Sequence, residues 1–322
     1  MPQVKKYKKR KLRTDRLLIF FVFIIIIIFI FSALIKLILK KETDTNINLN
    51  SSSNKNDNSS PSSFSSTFAK IGYDTILKDY NDIHFGPLIL INDDHKSLIS
   101  PEKMINLYEN KTDYYQLKDM DISLDTIASK ALNSLISGFF TASSNKNLVV
   151  VSGYRTENYQ NILYEQALDN NLKIAKGGYC DHNSGLSFDL GILSNDSFKY
   201  YSPTDEYKFI LDNCDKYGFI LRYPDEKSDI TKRYGESYHF RYVGIPHAYY
   251  MKQNNLSLEE YIEELKKYEF GFNTLQISCY SKEYYIYYIK AKKGQNEIHV
   301  PINKVHTISG NNIDGYIITC EK

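Results

Sequence analysis

Two stretches decide the fold of this 322-residue chain: Tyr179-Cys180-Asp181-His182-Asn183-Ser184-Gly185-Leu186-Ser187-Phe188-Asp189, and Glu236-Ser237-Tyr238-His239-Phe240-Arg241-Tyr242-Val243-Gly244. Both lie among short strand and helix patterns, and both concentrate imidazoles with acids. Two imidazoles and one carboxylate, with a fourth position left to solvent, is the ligand count of a catalytic zinc site, whereas structural sites are closed by four protein ligands. His182, Asp189 and His239 are the candidates for those ligands. Zinc acidifies its water, and a carboxylate outside the ligand set can then take the proton as that water attacks a carbonyl. Glu236, three residues before His239, is the candidate for that base. Spacing alone leaves the alternative open, because a histidine with an acid a few residues away is commonly solvated or a satisfied core group.

Outward from these stretches the pattern alternates between helix and strand. Ser100-Pro101-Glu102 reads as an N-cap with proline in the first turn. A longer helix is expected from Leu124 to Phe140, with Ile127, Ala131, Leu132, Leu135 and Ile136 on one stripe. Leu148 to Ser152 reads as a short buried strand, and Glu157 to Asn170 as a helix turning Ile162, Leu163 and Ala167 inward. The Thr204 to Tyr217 helix should stop at Gly218 and lead into a strand, Phe219 to Arg222, while Ser257-Leu258-Glu259-Glu260 is a capping box. Beyond Phe270 the pattern turns to strands, Ile277 to Ala291 and Ile313 to Thr319. The run Tyr284-Tyr285-Ile286-Tyr287-Tyr288 is most simply a strand with one buried face, and a sugar-stacking surface is its alternative.

Ser152-Gly153-Tyr154-Arg155-Thr156 precedes the two histidine stretches, and the three in this order resemble the VanY-type D-alanyl-D-alanine carboxypeptidases, zinc peptidases that include the VanX-like dipeptidases. The resemblance covers roughly 68–268. It implies an α+β fold, a small, mainly antiparallel sheet flanked by helices, with zinc held by His182, Asp189 and His239 and Glu236 as general base. It further implies that Arg155 stabilises the developing oxyanion and holds substrate, and that Gln160 lies near the substrate's terminal carboxylate. Ser184 is carried as a third substrate-binding residue. Three departures stand out: Cys180 for a usual serine, Ser187 for alanine and Tyr238 for tryptophan. Cys180 as a nucleophile would compete with metal ligation by His182. Substrate binding near Cys180 is therefore the feature these departures bear on most.

The net charge of +2 conceals an asymmetry: residues 1 to 41 hold eleven Lys or Arg against one acid, leaving 29 basic and 37 acidic residues downstream. An acidic body excludes a nucleic-acid-binding reading. Leu17 to Ile35 is uncharged and almost wholly large and apolar, and eight basic residues precede it. Such a stretch spans a bilayer as a helix with its basic flank in the cytoplasm. A cleaved signal peptide is the competing reading, against which the length of the apolar run counts. The expected organisation is a cytoplasmic tail at 1–16, a transmembrane anchor at 17–39, a Ser/Asn-rich tether at 40–67, the peptidase domain at 68–269 and a small β appendage at 270–322. Single-pass insertion would put the catalytic domain outside the cell, facing peptidoglycan stem peptides. The four cysteines lie far apart without a CxxC pair, so no thiolate zinc cluster is written here, and Cys279 with Cys320 is the candidate disulfide of an oxidising compartment. Within the family the rival activities are D-Ala-D-Ala dipeptidase, LD-carboxypeptidase and stem-peptide endopeptidase. Outside it stands a non-catalytic wall-binding protein.

Overall fold

The structure, a computed structural model, describes residues 72–170, 174–194 and 197–322. The expected tail, membrane helix and tether lie outside these residues; among the described residues no helix is long and apolar enough to cross a membrane.

The strands in chain order are β1 (Tyr73–Asp79), β2 (Met104–Asn106), β3 (Gln116–Leu117), β4 (Ser123–Asp125), β5 (Leu148–Ser152), β6 (Ser187–Ser194), β7 (Ser197–Tyr200), β8 (Phe219–Leu221), β9 (His239–Tyr242), β10 (Leu275–Cys279), β11 (Lys282–Lys290), β12 (Gln295–Pro301), β13 (His306–Gly310) and β14 (Gly315–Glu321). The main helices are α1 (Thr126–Ser143), α2 (Glu157–Asp169), α3 (Lys208–Asn213), α4 (Ile245–Gln253) and α5 (Leu258–Leu265). The sheet that carries the motifs runs β3-β5-β6-β9-β8, with β7 added to the outer part of β6. Among the described residues of this sheet only the β3–β5 pairing is parallel. The mainly antiparallel sheet flanked by helices is thus present.

Alternation along β6 and β9 divides the sheet into two chemistries. Phe188, Leu190 and Phe240 enter the core with Leu132, Leu135, Ile136 and Phe139 of α1. Ser187, Asp189, His239 and Arg241 occupy the other face by their intervening positions, buried as well, so this face needs partners for its charges. Helix α1 starts where the Asp125 side chain accepts from the Ile127 N–H, and Ile127 itself is 45% exposed rather than part of the inward stripe. Helix α2 is rotated from the expected face: Ile162 is 51% exposed, whereas Gln160 and Ala167 are buried. The expected helix after Ser100 does not form. Met104 and Ile105 pair instead with Asp125 and Leu124 in the β2–β4 ladder, where ladder hydrogen bonds replace those of a single helical turn.

The C-terminal strands form a second sheet, β10-β11-β14-β13. One face shares a core with α4 and α5 through Leu275, Ile277, Ile286, Tyr288 and Ile317; the other packs Tyr287, Tyr316 and Ile318 against Ile298 and Val300 of β12. β12 pairs in turn with β1, so the first and last described parts of the chain meet in one ribbon. Ile286, Tyr287 and Tyr288 are all buried, which corrects the one-sided reading of the tyrosine run and removes Tyr287 and Tyr288 from any sugar-stacking surface. The expected Cys279–Cys320 disulfide is also corrected. All four cysteines are free thiols; Cys279 on β10 packs with α4 and α5, Cys320 on β14 packs with β12, and β11 lies between their strands.

Candidate metal centre and its surroundings

Strand register assembles the site. Ser152 of β5 pairs with Asp189 of β6, which pairs with His239 of β9, so three of the motif residues form one row across the sheet. His182 reaches the same point from the turn Asp181–Ser184 that precedes β6. That turn closes on Gly185 at φ 71°, where a Cβ would lie 2.7 Å from Met104 Sδ. Glycine is needed there for both conformation and space.

The two sequence motifs are laced together by backbone and amide contacts. Asn183 Nδ2 donates to Arg155 O at 2.7 Å, its Oδ1 accepts from the Gly178 N–H at 2.9 Å, and the Arg155 N–H donates to His182 O at 3.2 Å. Gly153 runs so close to Ser123 that a Cβ would meet its carbonyl oxygen at 2.5 Å, and Gly153 O lies 2.7 Å from His182 Nδ1. A carbonyl only accepts, so Nδ1 of His182 carries the hydrogen and Nε2 keeps its lone pair. Nε2 faces Asp189 Oδ2 at 3.2 Å, while Asp189 Oδ1 lies 2.7 Å from His239 Nδ1. A lone pair set against a carboxylate in a buried site is unfavourable unless a cation lies between them. His182, Asp189 and His239, all buried, bring one donor atom each to within 4.8 Å of one another. Two imidazole nitrogens and one carboxylate suit zinc.

Electrostatics follow from burial and partners. Burial pushes the His182 pKa down to about 4, aided by Arg155, and keeps the ring neutral as a ligand must be. For Asp189 burial works upward, but positive charge or hydrogens on the flanking His182 and His239 rings would hold it well below the usual carboxylate range, a role that passes to a bound cation when His182 Nε2 is a lone pair. For His239 burial works downward, yet the Asp181 and Asp189 carboxylates push it up to about 9. Glu236 is raised, first by burial and then by Asp189, with His239, Arg233 and Arg155 opposing. A raised carboxyl near the site is what proton exchange near neutral pH uses.

Arg155 is fixed on three sides: Nε and Nη2 donate to Ser152 Oγ at 3.1 and 2.8 Å, Nη1 donates to Gln160 Oε1 at 3.2 Å, and Nη2 lies 3.4 Å from Asp189 Oδ2. Gln160 is 1% exposed and anchors its own Nε2 on Ala175 O at 2.7 Å, so the structure brings it to the site as the brace of Arg155. Ser184 uses its hydroxyl inside the turn, donating to Asp181 O at 2.6 Å and accepting from the Leu186 N–H at 3.0 Å. Cys180 is buried, which pushes its thiol up to about 11 and removes the thiolate a nucleophile needs. Tyr238 stacks on Tyr200 with ring centroids 4.2 Å apart, so the tyrosine retains an aromatic surface where the family pattern has tryptophan.

Sequence reasoning missed the charges beneath the row. Arg241 Nη1 donates to Asp181 Oδ1, Ser187 Oγ donates to Asp181 Oδ2 at 2.7 Å, and Arg222 forks onto Glu259 at 2.9 and 2.7 Å. The available signal was an arginine in each of two apolar strand patterns, Phe219 to Arg222 and His239 to Tyr242, since a buried guanidinium requires a carboxylate partner. Tyr200 was missed because β7 lies outside every motif.

Fold and site together define a class: an α+β metallohydrolase with a His-Asp-His donor set on the central strands. A sequence model of the family VanY, D-alanyl-D-alanine carboxypeptidase, matches residues 121–245. A D-alanyl-D-alanine carboxypeptidase of Enterococcus faecium is 34% identical over 241 residues, covering 74% of this chain and 76% of the relative. The bifunctional D-Ala-D-Ala dipeptidase and D-Ala-D-Ala carboxypeptidase VanXYC of Enterococcus gallinarum is 35% identical over 130 residues, 37% of this chain and 68% of its own. Among solved structures, the vancomycin resistance D,D-dipeptidase VanXYg in complex with a D-Ala-D-Ala phosphinate analog has a TM-score of 0.70 at 28% identity, covering 78% of this chain and 100% of that one. The chain belongs to the VanY D-alanyl-D-alanine carboxypeptidase family, and it is a metallopeptidase whose cofactor is zinc.

Proposed function

We propose that this protein removes the C-terminal D-alanine from peptidoglycan stem peptides, as a zinc carboxypeptidase anchored by residues 17–39 with its 68–269 peptidase domain and 270–322 strands outside the cell. The observation that carries the reading is the convergence of His182, Asp189 and His239 within 4.8 Å, with the Nε2 of His182 3.2 Å from the Asp189 carboxylate, a pairing that a bound cation would reconcile. The E. faecium relative supplies the substrate class, and the basic flank before an uncharged apolar run supplies the orientation.

In this reading His182, Asp189 and His239 hold the zinc. Bound there, zinc would supply Lewis-acid polarisation and acidify water. Glu236, its pKa raised, accepts the proton of the attacking water and returns it to the leaving amine. Arg155, braced by Ser152 and Gln160, presents a fixed guanidinium to the oxyanion as charge develops. The leaving D-alanine carries a carboxylate, and the Arg155 and Gln160 region is the cationic side of the site. Ser184 would act on substrate through the turn it stabilises.

A D,D-dipeptidase reading is the second, favoured by the likeness to VanXYg over that whole chain. Mass spectrometry of a stem pentapeptide and of free D-Ala-D-Ala, each incubated with the protein, separates them. Release of one alanine from the pentapeptide is expected; cleavage of the free dipeptide alone would replace the carboxypeptidase assignment.

A further inference from the structure

We propose that Asp181 is the positioning residue of His239: it takes the Nε2–H of that imidazole and so presents Nδ1 to the zinc. This rests on the metal assignment above. His239 is 2% exposed, and its Nε2 is buried without a hydrogen-bond partner. Its other nitrogen lies 2.7 Å from Asp189 Oδ1, the side on which the donors converge. A nitrogen that ligates must offer a lone pair, so the hydrogen belongs on Nε2, and a buried N–H without an acceptor is costly. The carboxylate oxygen facing it is Asp181 Oδ2, 3.6 Å away.

A second orphan points to the same atom. Arg222 Nε is also buried without a hydrogen bond, and it lies 3.7 Å from the same oxygen. Two unsatisfied donors flanking one acceptor, each a few tenths of an ångström beyond hydrogen-bond length, mark an arrangement that closes with a small movement of the imidazole or the carboxylate. Asp181 can serve without drifting. It is 1% exposed, Arg241 holds Oδ1, Ser187 holds Oδ2 at 2.7 Å, and Arg241 is tied to Ile89 O at 2.8 Å. The two arginines and the carboxylates of Asp181 and Glu259 balance in charge, and Asp181 Oδ2 keeps a second lone pair beyond the one Ser187 uses. Asp181 also directly precedes His182, so one turn delivers a ligand and the support of another.

Outer partners of ligating histidines fix ring orientation and typically carry about 10- to 100-fold in metal affinity. Asp181→Asn should therefore weaken zinc binding about 10- to 100-fold in competition with a chromogenic chelator, and alter the visible spectrum of the cobalt-substituted protein. Asp181→Glu should recover part of the affinity. Glu259→Gln loosens the far end of the same network and should lower the unfolding midpoint while leaving zinc affinity unchanged. Wild-type affinity in Asp181→Asn, or an equal loss in Glu259→Gln, would overturn the proposal while leaving the metal assignment intact; a wild-type protein that takes up no zinc would sink both. Should Asp181→Asn not fold, nitrogen-15 histidine spectra of the zinc-loaded wild type decide: a protected Nε2–H on His239 supports the proposal, and a hydrogen on Nδ1 refutes it.

Discussion

Asp189 and His239 are direct partners across the β6–β9 ladder, and their side chains meet at 2.7 Å between Oδ1 and Nδ1. Rigid ladder geometry, rather than a loop, therefore sets the distance between two of the three donors. Removing either should abolish the site without dissolving the sheet. For His182→Ala, Asp189→Ala and His239→Ala we expect zinc per chain to fall well below one after dialysis, together with hydrolysis, while circular dichroism retains its wild-type shape. A fully loaded Asp189→Ala protein would remove Asp189 from the ligand set.

Glu236 should separate binding from turnover. It is half-buried, near enough to His239 and Asp189 to feel their charges, but contributes none of the three convergent atoms. Glu236→Gln should keep one zinc per chain and lose on the order of 10² to 10⁴ in rate, the usual worth of a positioned acid-base group. Paired zinc and rate measurements test this, and near-wild-type turnover would sink the assignment.

The brace on Arg155 makes a graded prediction. Arg155→Ala should cost roughly 3 to 4 kcal/mol of transition-state stabilisation, as removal of an oxyanion donor does. Gln160→Leu leaves the guanidinium in place but deprives Nη1 and Ala175 O of their partner. A smaller loss in kcat/KM is expected, with destabilisation of about 1 to 3 kcal/mol in urea unfolding from the unsatisfied buried groups. Wild-type kinetics in Gln160→Leu would show that Ser152 alone fixes Arg155.

The sequence made the row of candidate donors legible because Ser152, Asp189 and His239, picked out by their motifs, fall on paired strands. Leu148 to Ser152 forms the expected strand, and Gly218 ends the preceding helical segment at φ 83°. Legibility failed where long-range partners overrode local signals. The proline-capped turn at Ser100 gave way to pairing between β2 and β4, and α2 turned Gln160 inward because Arg155 needed an acceptor. Ile277 to Ala291 read as one strand but is broken by Tyr280 and Ser281, both at positive φ, into the β10–β11 hairpin. The Asp181, Arg222, Arg241 and Glu259 network could not be assembled from the sequence, although the two strand arginines called for carboxylate partners, because its members lie on four different segments brought together only by the fold.

The cysteines give a simple count. Cys279 and Cys320 sit in different cores on strands separated by β11, and neither thiol faces the other. Thiol labelling of the denatured, unreduced protein should find four reactive groups. A count of two, with Cys279 and Cys320 joined in a peptide map, would contradict the arrangement of the second sheet.

His247 should make the join between α4 and the second sheet acid-sensitive. It is 4% exposed, with Nδ1 2.7 Å from the Tyr261 hydroxyl and Nε2 2.9 Å from Thr319 Oγ1, so both nitrogens are occupied by neutral partners. Burial pushes its pKa from the ordinary 6.5 down to about 3. The unfolded chain therefore binds a proton below pH 6.5 that the folded chain refuses, so stability linked to His247 is fully present above that pH and is lost as pH falls toward 3. The slope approaches about 1.4 kcal/mol per pH unit within this window. His247→Gln cannot titrate. It should be less stable than wild type at pH 7.5, where a well-matched imidazole has been lost, but the gap should narrow progressively between pH 6 and pH 4 in urea unfolding. A constant gap across that range would show that His247 is not the group through which acid loosens this part of the fold.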